Sequence, residues 1–254
     1  MSNLEGQTIL VTGASGGIGR EIAKLVGKLG ANVIAQWGNN LEGAREATAD
    51  IPDDRKLLVQ ADFSSSDGAD SLWEQAAMWR GRVNVLVNNA AIMPEAGIES
   101  SEPEWDDVWN RALTINVIQP AKLMKRAVNH YLEHGGGVIV SLSSWAAQRG
   151  SGNPRLLAYA ASKAATAAAT KTIARSYAKD NILAYCVAPG TVDTEMTRRS
   201  APNQGGLEKV RAALSTGELV PPREVAEVVC FLAGGVARHL TGATLDVNGA
   251  TYIR

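Results

Sequence analysis

Short, continuously apolar runs alternate along this chain with segments of helical periodicity, and that alternation restricts the fold more than any other feature. The strand-like runs are Thr8–Thr12, Asn32–Trp37, Lys56–Ala61, Val83–Asn88, Val138–Leu142, Leu183–Ala188 and Thr244–Val247. Their hydrophobicity is unbroken, as expected for parallel strands covered on both faces. Helical patterns fall at about 17–29, 41–50, 67–80, 103–133, 155–179 and 222–233. The order predicts one α/β domain over residues 1–254, with a doubly wound, seven-stranded parallel sheet and ligand outside the carboxyl ends of its strands. Glycine, proline and serine clusters fall between elements, so no linker divides the chain. The alanine-rich stretch 158–169 reads as a helix with small faces rather than as low complexity.

The first strand, ending Ile9-Leu-Val-Thr12, runs into Gly13-Ala-Ser-Gly-Gly17-Ile-Gly19. A helix follows, with a buried stripe of Ile18, Ile22, Leu25, Val26 and Leu29 and Gly30 as its stop. Glycines let the backbone turn sharply and approach a pyrophosphate, while the helix N-terminus offers unpaired N–H groups and a positive dipole end. The context points to dinucleotide phosphate; a tight turn without ligand is the alternative. Tyr159 and Lys163 lie one helical turn apart on one face. A lysine ammonium there stabilises the tyrosinate and is expected to lower a phenol pKa that starts near ~10. Such a pair also occurs on solvated helices; Ser144 upstream and the glycine turn give it weight. Asn116 stands four residues before Pro120 inside the 103–133 helix. Proline has no N–H, so a kink and a free carbonyl acceptor are expected at Asn116.

In order, Thr12-Gly-Ala-Ser-Gly-Gly-Ile-Gly19, Asp62, Asn88-Asn89-Ala90, Asn116, Ser144, Tyr159/Lys163, Pro189-Gly190 and Thr241-Gly-Ala-Thr-Leu-Asp-Val-Asn-Gly249 span nearly the whole chain. This series resembles the short-chain dehydrogenase/reductase family, in its 3-oxoacyl-carrier-protein reductase-like branch. The resemblance implies a Rossmann-type fold and NAD(P)(H)-dependent interconversion of a ketone and a secondary alcohol. It implies cofactor contacts from Gly13, Ser15, Gly17, Ile18 and Gly19. Asp62 would accept from the adenine amino group, with Phe63 backing the ring. Asn89 and Ala90 would line the cofactor, with Ala91 in place of the family's usual glycine. Pro189, Gly190, Val192 and Thr194 would hold the carboxamide. Ser144 would donate to the substrate carbonyl oxygen, and Tyr159 would act as acid in reduction and base in oxidation. Lys163 would lower the tyrosine pKa and bond the nicotinamide ribose, linked by a water to the Asn116 carbonyl. Ser144 to Tyr159 is slightly longer than the family's spacing, placing an insertion in Ala146–Leu157 and leaving Ser143 as a register alternative. Residues 195–218 are the expected flexible substrate lid, in which Arg198 and Arg199 either grip an acidic substrate or are simply solvated. The family's habit predicts a homotetramer, with a dimer as fallback; Ala160, Ala164, Ala167 and Ala168 permit close helix packing.

An acid ending the second strand would bond the ribose 2′-OH and repel a phosphate. Ala35-Gln-Trp37-Gly-Asn-Asn40 has none, which favours NADP, with NAD as the alternative. Basic clamps are absent too, at Gly16 and Gly38, leaving Ser15, Asn39 and Asn40 as neutral donors. A net charge of −1 gives no electrostatic case for nucleic acid or an anionic membrane. No run approaches the ~20 apolar residues of a spanning helix. Cys186 and Cys230 read as buried thiols, consistent with a cytoplasmic location. His130 and His134 lack a third ligand, so no metal is expected. Trp105 and Trp109 share a helical face, and Trp145, beside Ser144, is the residue expected against a hydrophobic ketone. The competing function is a dinucleotide-binding regulator or scaffold without catalysis; the presence of both Tyr159 and Lys163 weighs against it.

Overall fold

The computed structural model describes residues 3–253. Its strands are β1 (Thr8–Val11), β2 (Asn32–Trp37), β3 (Lys56–Gln60), β4 (Val85–Asn88), β5 (Gly137–Leu142), β6 (Ile182–Pro189) and β7 (Thr244–Val247). They form one seven-stranded parallel sheet in the order β3-β2-β1-β4-β5-β6-β7. The strand order reverses between β1 and β4, which opens a crevice at their carboxyl ends. The helices are α1 (Gly17–Lys28), α2 (Leu41–Ala47), α3 (Gly68–Arg80), α4 (Glu102–Leu113) and α5 (Gln119–Glu133). They continue as α6 (Ala146–Arg149), α7 (Leu157–Tyr177), α8 (Glu195–Ser200), α9 (Leu207–Ala212) and α10 (Pro222–Ala233).

Successive strand residues point to opposite faces, yet both sets are apolar because helices cover both sides. Ile9, Val11, Val33, Val85 and Val87 pack against Ile22 and Val26 of α1 and Val225 and Val229 of α10. Leu10, Ile34, Leu86 and Ile139 face the other way, onto Leu72 and Trp73 of α3 and Leu123 and Tyr131 of α5. Each such side chain contributes roughly 1.5–3 kcal/mol by leaving water.

The predicted 103–133 helix is divided by a π-turn at Thr114–Ile118. Pro120 removes one donor, and the ladder slips by one residue: the Gln119 N–H reaches the Thr114 carbonyl, five back. The predicted 41–50 helix ends at Ala47: Thr48 leaves helical geometry, at φ −121° and ψ 12°, and its N–H bonds the Arg45 carbonyl three residues back. The short helices α6, α8 and α9 occupy segments that read as loops. Trp105 and Trp109 do share a face, with ring centroids 5.7 Å apart over Ala96, Val108, Ala112 and Ala158.

Candidate active site

β1 enters its turn through backbone that favours glycine: φ is +66° at Gly13 and +51° at Gly17. A Cβ on Gly13 would lie 2.9 Å from the Ala90 Cα, and one on Gly19 2.1 Å from the Gly13 oxygen. The turn is thus pressed against the end of β4. The Thr12 hydroxyl oxygen accepts the N–H groups of Asn89 (2.9 Å) and Ala90 (3.0 Å), and Asn89 Nδ2 donates to the Thr12 carbonyl at 2.9 Å. Gln36, which the sequence reading missed, is buried on β2. It accepts the Gly13 N–H at 2.7 Å and donates to the Ala61 carbonyl at 2.8 Å, tying three strand ends together. The available signal was one amide in an apolar strand.

Gly16 caps α1 without a side-chain hydrogen bond, and Ile18 packs on the core behind it. The first-turn N–H groups therefore have no side-chain partner. The loop after β6 returns to this turn: a Cβ on Gly17 would come within 3.2 Å of the Thr194 methyl. Gly190 abuts Asn248, where a Cβ would sit 2.8 Å from the Asn248 Cβ. Val192 pairs with Val220, and its carbonyl accepts the Thr197 hydroxyl at 2.6 Å. Pro189 accepts the Trp145 N–H at 3.1 Å. Open space at Gly16, where a Cβ would meet nothing within 4 Å, and first-turn N–H groups without a side-chain cap fit a dinucleotide pyrophosphate.

At the other end of the crevice, Asp62 accepts the Ser64 N–H (2.8 Å) and hydroxyl (2.7 Å). These bonds hold its carboxyl below the usual carboxylate range. Phe63 beside it is buried among Leu72, Trp73 and Ala76. Asn39 is exposed. Asn40 is not the open donor foreseen, since Oδ1 accepts the Gly43 N–H at 2.9 Å, capping α2, and Nδ2 donates to the Ser15 carbonyl at 3.4 Å.

The reactive set gathers where β5, α7 and the π-turn meet. Lys163 is buried, and its Nζ donates to the Leu142 carbonyl at 2.7 Å, 6.0 Å from the centre of the half-buried Tyr159 ring. The Ser144 hydroxyl bonds the Tyr159 side chain and also accepts the Ala146 N–H at 3.1 Å. Ser143 instead donates to the Lys163 carbonyl at 3.1 Å, so the fold turns Ser144 and not Ser143 to the tyrosine. The expected lowering of the Tyr159 pKa is corrected: burial pushes the phenol up, and the opposing influence is the bond to Ser144. The same burial pushes Lys163 down to about 8.

Asn116 is buried in the π-turn. Its carbonyl, expected to be free, accepts the Thr166 hydroxyl at 2.8 Å. Its side chain clamps Ile92 in both directions at 2.9 Å and donates to Ser162 Oγ at 3.0 Å. Ser162 in turn donates to the Tyr159 carbonyl at 2.7 Å. Thr166 was missed because its meeting with Asn116 spans fifty residues of sequence.

Glu95 was also missed. Its carboxylate accepts Ser200 Oγ at 2.9 Å and Asn203 Nδ2 at 2.7 Å, joining the β4–α4 loop to the end of α8. Arg198 and Arg199 are engaged by Asp193 (2.6 Å) and Glu195 (3.0 Å). The insertion after Ser144 forms α6, where the Arg149 guanidinium lies 4.2 Å from the Trp145 ring centre. Arg155 ties it to Glu99 and Glu104. His130 accepts the Val83 N–H at 3.1 Å and stacks on His134, closing the end of α5.

Residues 13–250 match the family model described as enoyl-(acyl carrier protein) reductase. The chain is similar to 3-oxoacyl-(acyl-carrier-protein) reductase of Vibrio cholerae, 33% identical with 99% of each chain covered. It is similar to 3beta-hydroxysteroid dehydrogenase 1 of Eggerthella lenta, 32% identical over 97% of this chain and 94% of that one. Among solved structures, 3-ketoacyl-(acyl-carrier-protein) reductase of Brucella melitensis, complexed with NADH, superposes with a TM-score of 0.86 at 30% identity, covering 98% of this chain and all of that one. A protein of Beutenbergia cavernae, provisionally assigned as an NAD(P)-dependent gluconate 5-dehydrogenase with NADP at low occupancy, gives 0.88 at 32% identity, covering 98% of each.

Proposed function

The chain belongs to the short-chain dehydrogenase/reductase family, and on that premise we propose that it interconverts a ketone and a secondary alcohol with Tyr159 as the acid/base and NADP(H) as the preferred cofactor. The observation that carries the reading is the meeting of Ser144, Tyr159 and Lys163 beside the crevice bounded by the glycine turn and the loop 189–194. When bound, the nicotinamide supplies or takes up hydride. Gly13, Ser15, Gly17, Ile18, Gly19, Asn89 and Ala90 would cradle its phosphates and ribose, and Asp62 and Asn39 would hold its adenosine end. Pro189, Gly190, Val192 and Thr194 hold the carboxamide.

In reduction the substrate carbonyl oxygen accepts from the Ser144 and Tyr159 hydroxyls. Tyr159 would give its hydroxyl proton to that oxygen as the carbonyl is reduced, so that the product is released as a neutral alcohol. Lys163, with a lowered pKa, sits one turn away to return that proton. Asn116 has a second carbonyl lone pair beside the one Thr166 occupies, which would hold the relay water. The relatives named for an oxoacyl thioester and a hydroxysteroid act on chemically remote substrates that share only the ketone–alcohol pair. Trp145 supplies an apolar wall suited to a hydrophobic ketone. The lid is 195–218, its first half tied to the β4–α4 loop by Glu95. Retention of the whole reactive set disfavours a regulator without catalysis.

The test is a ketone and alcohol panel read by reduced-nicotinamide absorbance with each cofactor, for wild type and Tyr159→Phe. The variant should lose at least ~10²-fold in turnover while still binding cofactor. Near-normal turnover would sink the assignment.

A further inference from the structure

The cofactor's adenosine end lacks a cation at the two positions where one is usual, Gly16 and Gly38, but the fold brings one from elsewhere. Arg20, in the first turn of α1, folds back so that Nη2 donates to the Ser15 carbonyl at 3.1 Å. That same oxygen receives Asn40 Nδ2 at 3.4 Å. The guanidinium thus lies beside the segment Trp37-Gly-Asn-Asn40, which ends β2 and carries no acid. Nη1 is held by Glu46 of α2 at 3.1 Å, in a pair whose side chains are 32% and 55% exposed. Arg20 Nε is buried and has no partner. The neighbouring charges Glu42 and Arg45 pair with each other at 3.5 Å.

We propose that Arg20 is the counter-charge for the 2′-phosphate of NADP(H), and that Glu46 competes for it and so limits the preference over NAD(H). This rests on the dinucleotide reading above. An exposed ion pair is weak and easily exchanged. A phosphate presents charged acceptors to the planar fork, a stronger match than one carboxylate contact. The unpartnered Nε–H is a donor that the resting arrangement leaves unused, and turning the guanidinium from Glu46 toward an anion would engage it. NAD(H) has only a hydroxyl at that position and gains little from the charge. Arg20 is a specificity residue, distant from the reacting atoms.

Calorimetric titration with NADPH and with NADH separates the possibilities, with circular dichroism confirming that each variant is folded. Arg20→Gln should weaken NADPH by about tenfold to a hundredfold, the worth of a charge-assisted contact, and leave NADH within about twofold. Glu46→Gln should tighten NADPH by about twofold to fivefold, an effect that survives even if Arg20→Gln does not fold. Rising salt should weaken NADPH more than NADH in wild type. An unchanged NADPH-to-NADH ratio in Arg20→Gln, equal loss of both, or weaker NADPH binding in Glu46→Gln would overturn the role. Wild type that binds neither nucleotide would overturn the dinucleotide reading itself.

Discussion

At Tyr159 and Lys163, loss of water favours the neutral form of both groups, so the phenol rises and the ammonium falls. The spacing of the pair is legible in sequence, and so is its chemistry; the burial that governs its titration is not. A linkage effect follows. The folded lysine titrates near about 8, while an unfolded one titrates near ~10.4. Between those values the unfolded chain binds more protons, so stability rises with pH across that window. Tyr159 opposes the trend only above its unfolded value near ~10, where the unfolded chain loses its proton first. Denaturant unfolding of cofactor-free protein at pH 7.5 and pH 9.5 should therefore show a gain that Lys163→Met lacks. Loss of the Leu142 bond in that variant shifts stability equally at both pH values, so the difference in slope isolates the lysine's titration. Equal pH slopes in the two proteins would refute the burial account.

At the scale of elements, the π-turn and the lid both depend on contacts that no local pattern announces. Pro120 predicts a disturbed helix, but whether the ladder kinks or slips is settled by what the displaced groups meet. Here α7 supplies Thr166 and Ser162, and Ile92 supplies its backbone, so the Asn116 carbonyl and both polar atoms of its side chain are bonded. The segment 195–218 reads as a flexible lid, yet in its first half Thr194 caps α8 and Glu95 grips that helix's far end. Ser200 is 3% exposed, so its hydroxyl depends on these partners. Glu95→Ala removes two bonds to a charged acceptor. It should speed hydrogen exchange in 195–204 by about tenfold or more and raise the substrate KM, while cofactor affinity stays put. Exchange indistinguishable from wild type would dispose of the latch.

For the whole molecule, doubly wound topology places every motif at one end of the sheet. Its outer surface carries a further signal. An apolar groove of Ala121, Met124, Val128, Ala169, Ile173 and Tyr177 runs between α5 and α7, and Ile118 and Leu157 are exposed nearby. We expect this face to pair in a homotetramer, with a dimer as fallback, burying more than ~1,000 Å² per contact. Light scattering should report four chains, and a lysine at the exposed Ile118, Ile118→Lys, should shift the mass downward; a monomeric wild type at working concentration would exclude the assembly. Sequence alone determined the alternation of strands and helices along the chain, the parallel sheet and the residue types of the site. Apolar continuity, glycine freedom and proline's missing donor act locally and leave marks in adjacent residues. Tertiary structure decided between Ser143 and Ser144, buried Phe63, turned Asn40 into a cap, and brought Gln36, Glu95, Thr166 and Arg20 to their partners. Each of these rests on a hydrogen bond, ion pair or packing contact whose members meet only after the chain has wound around its sheet.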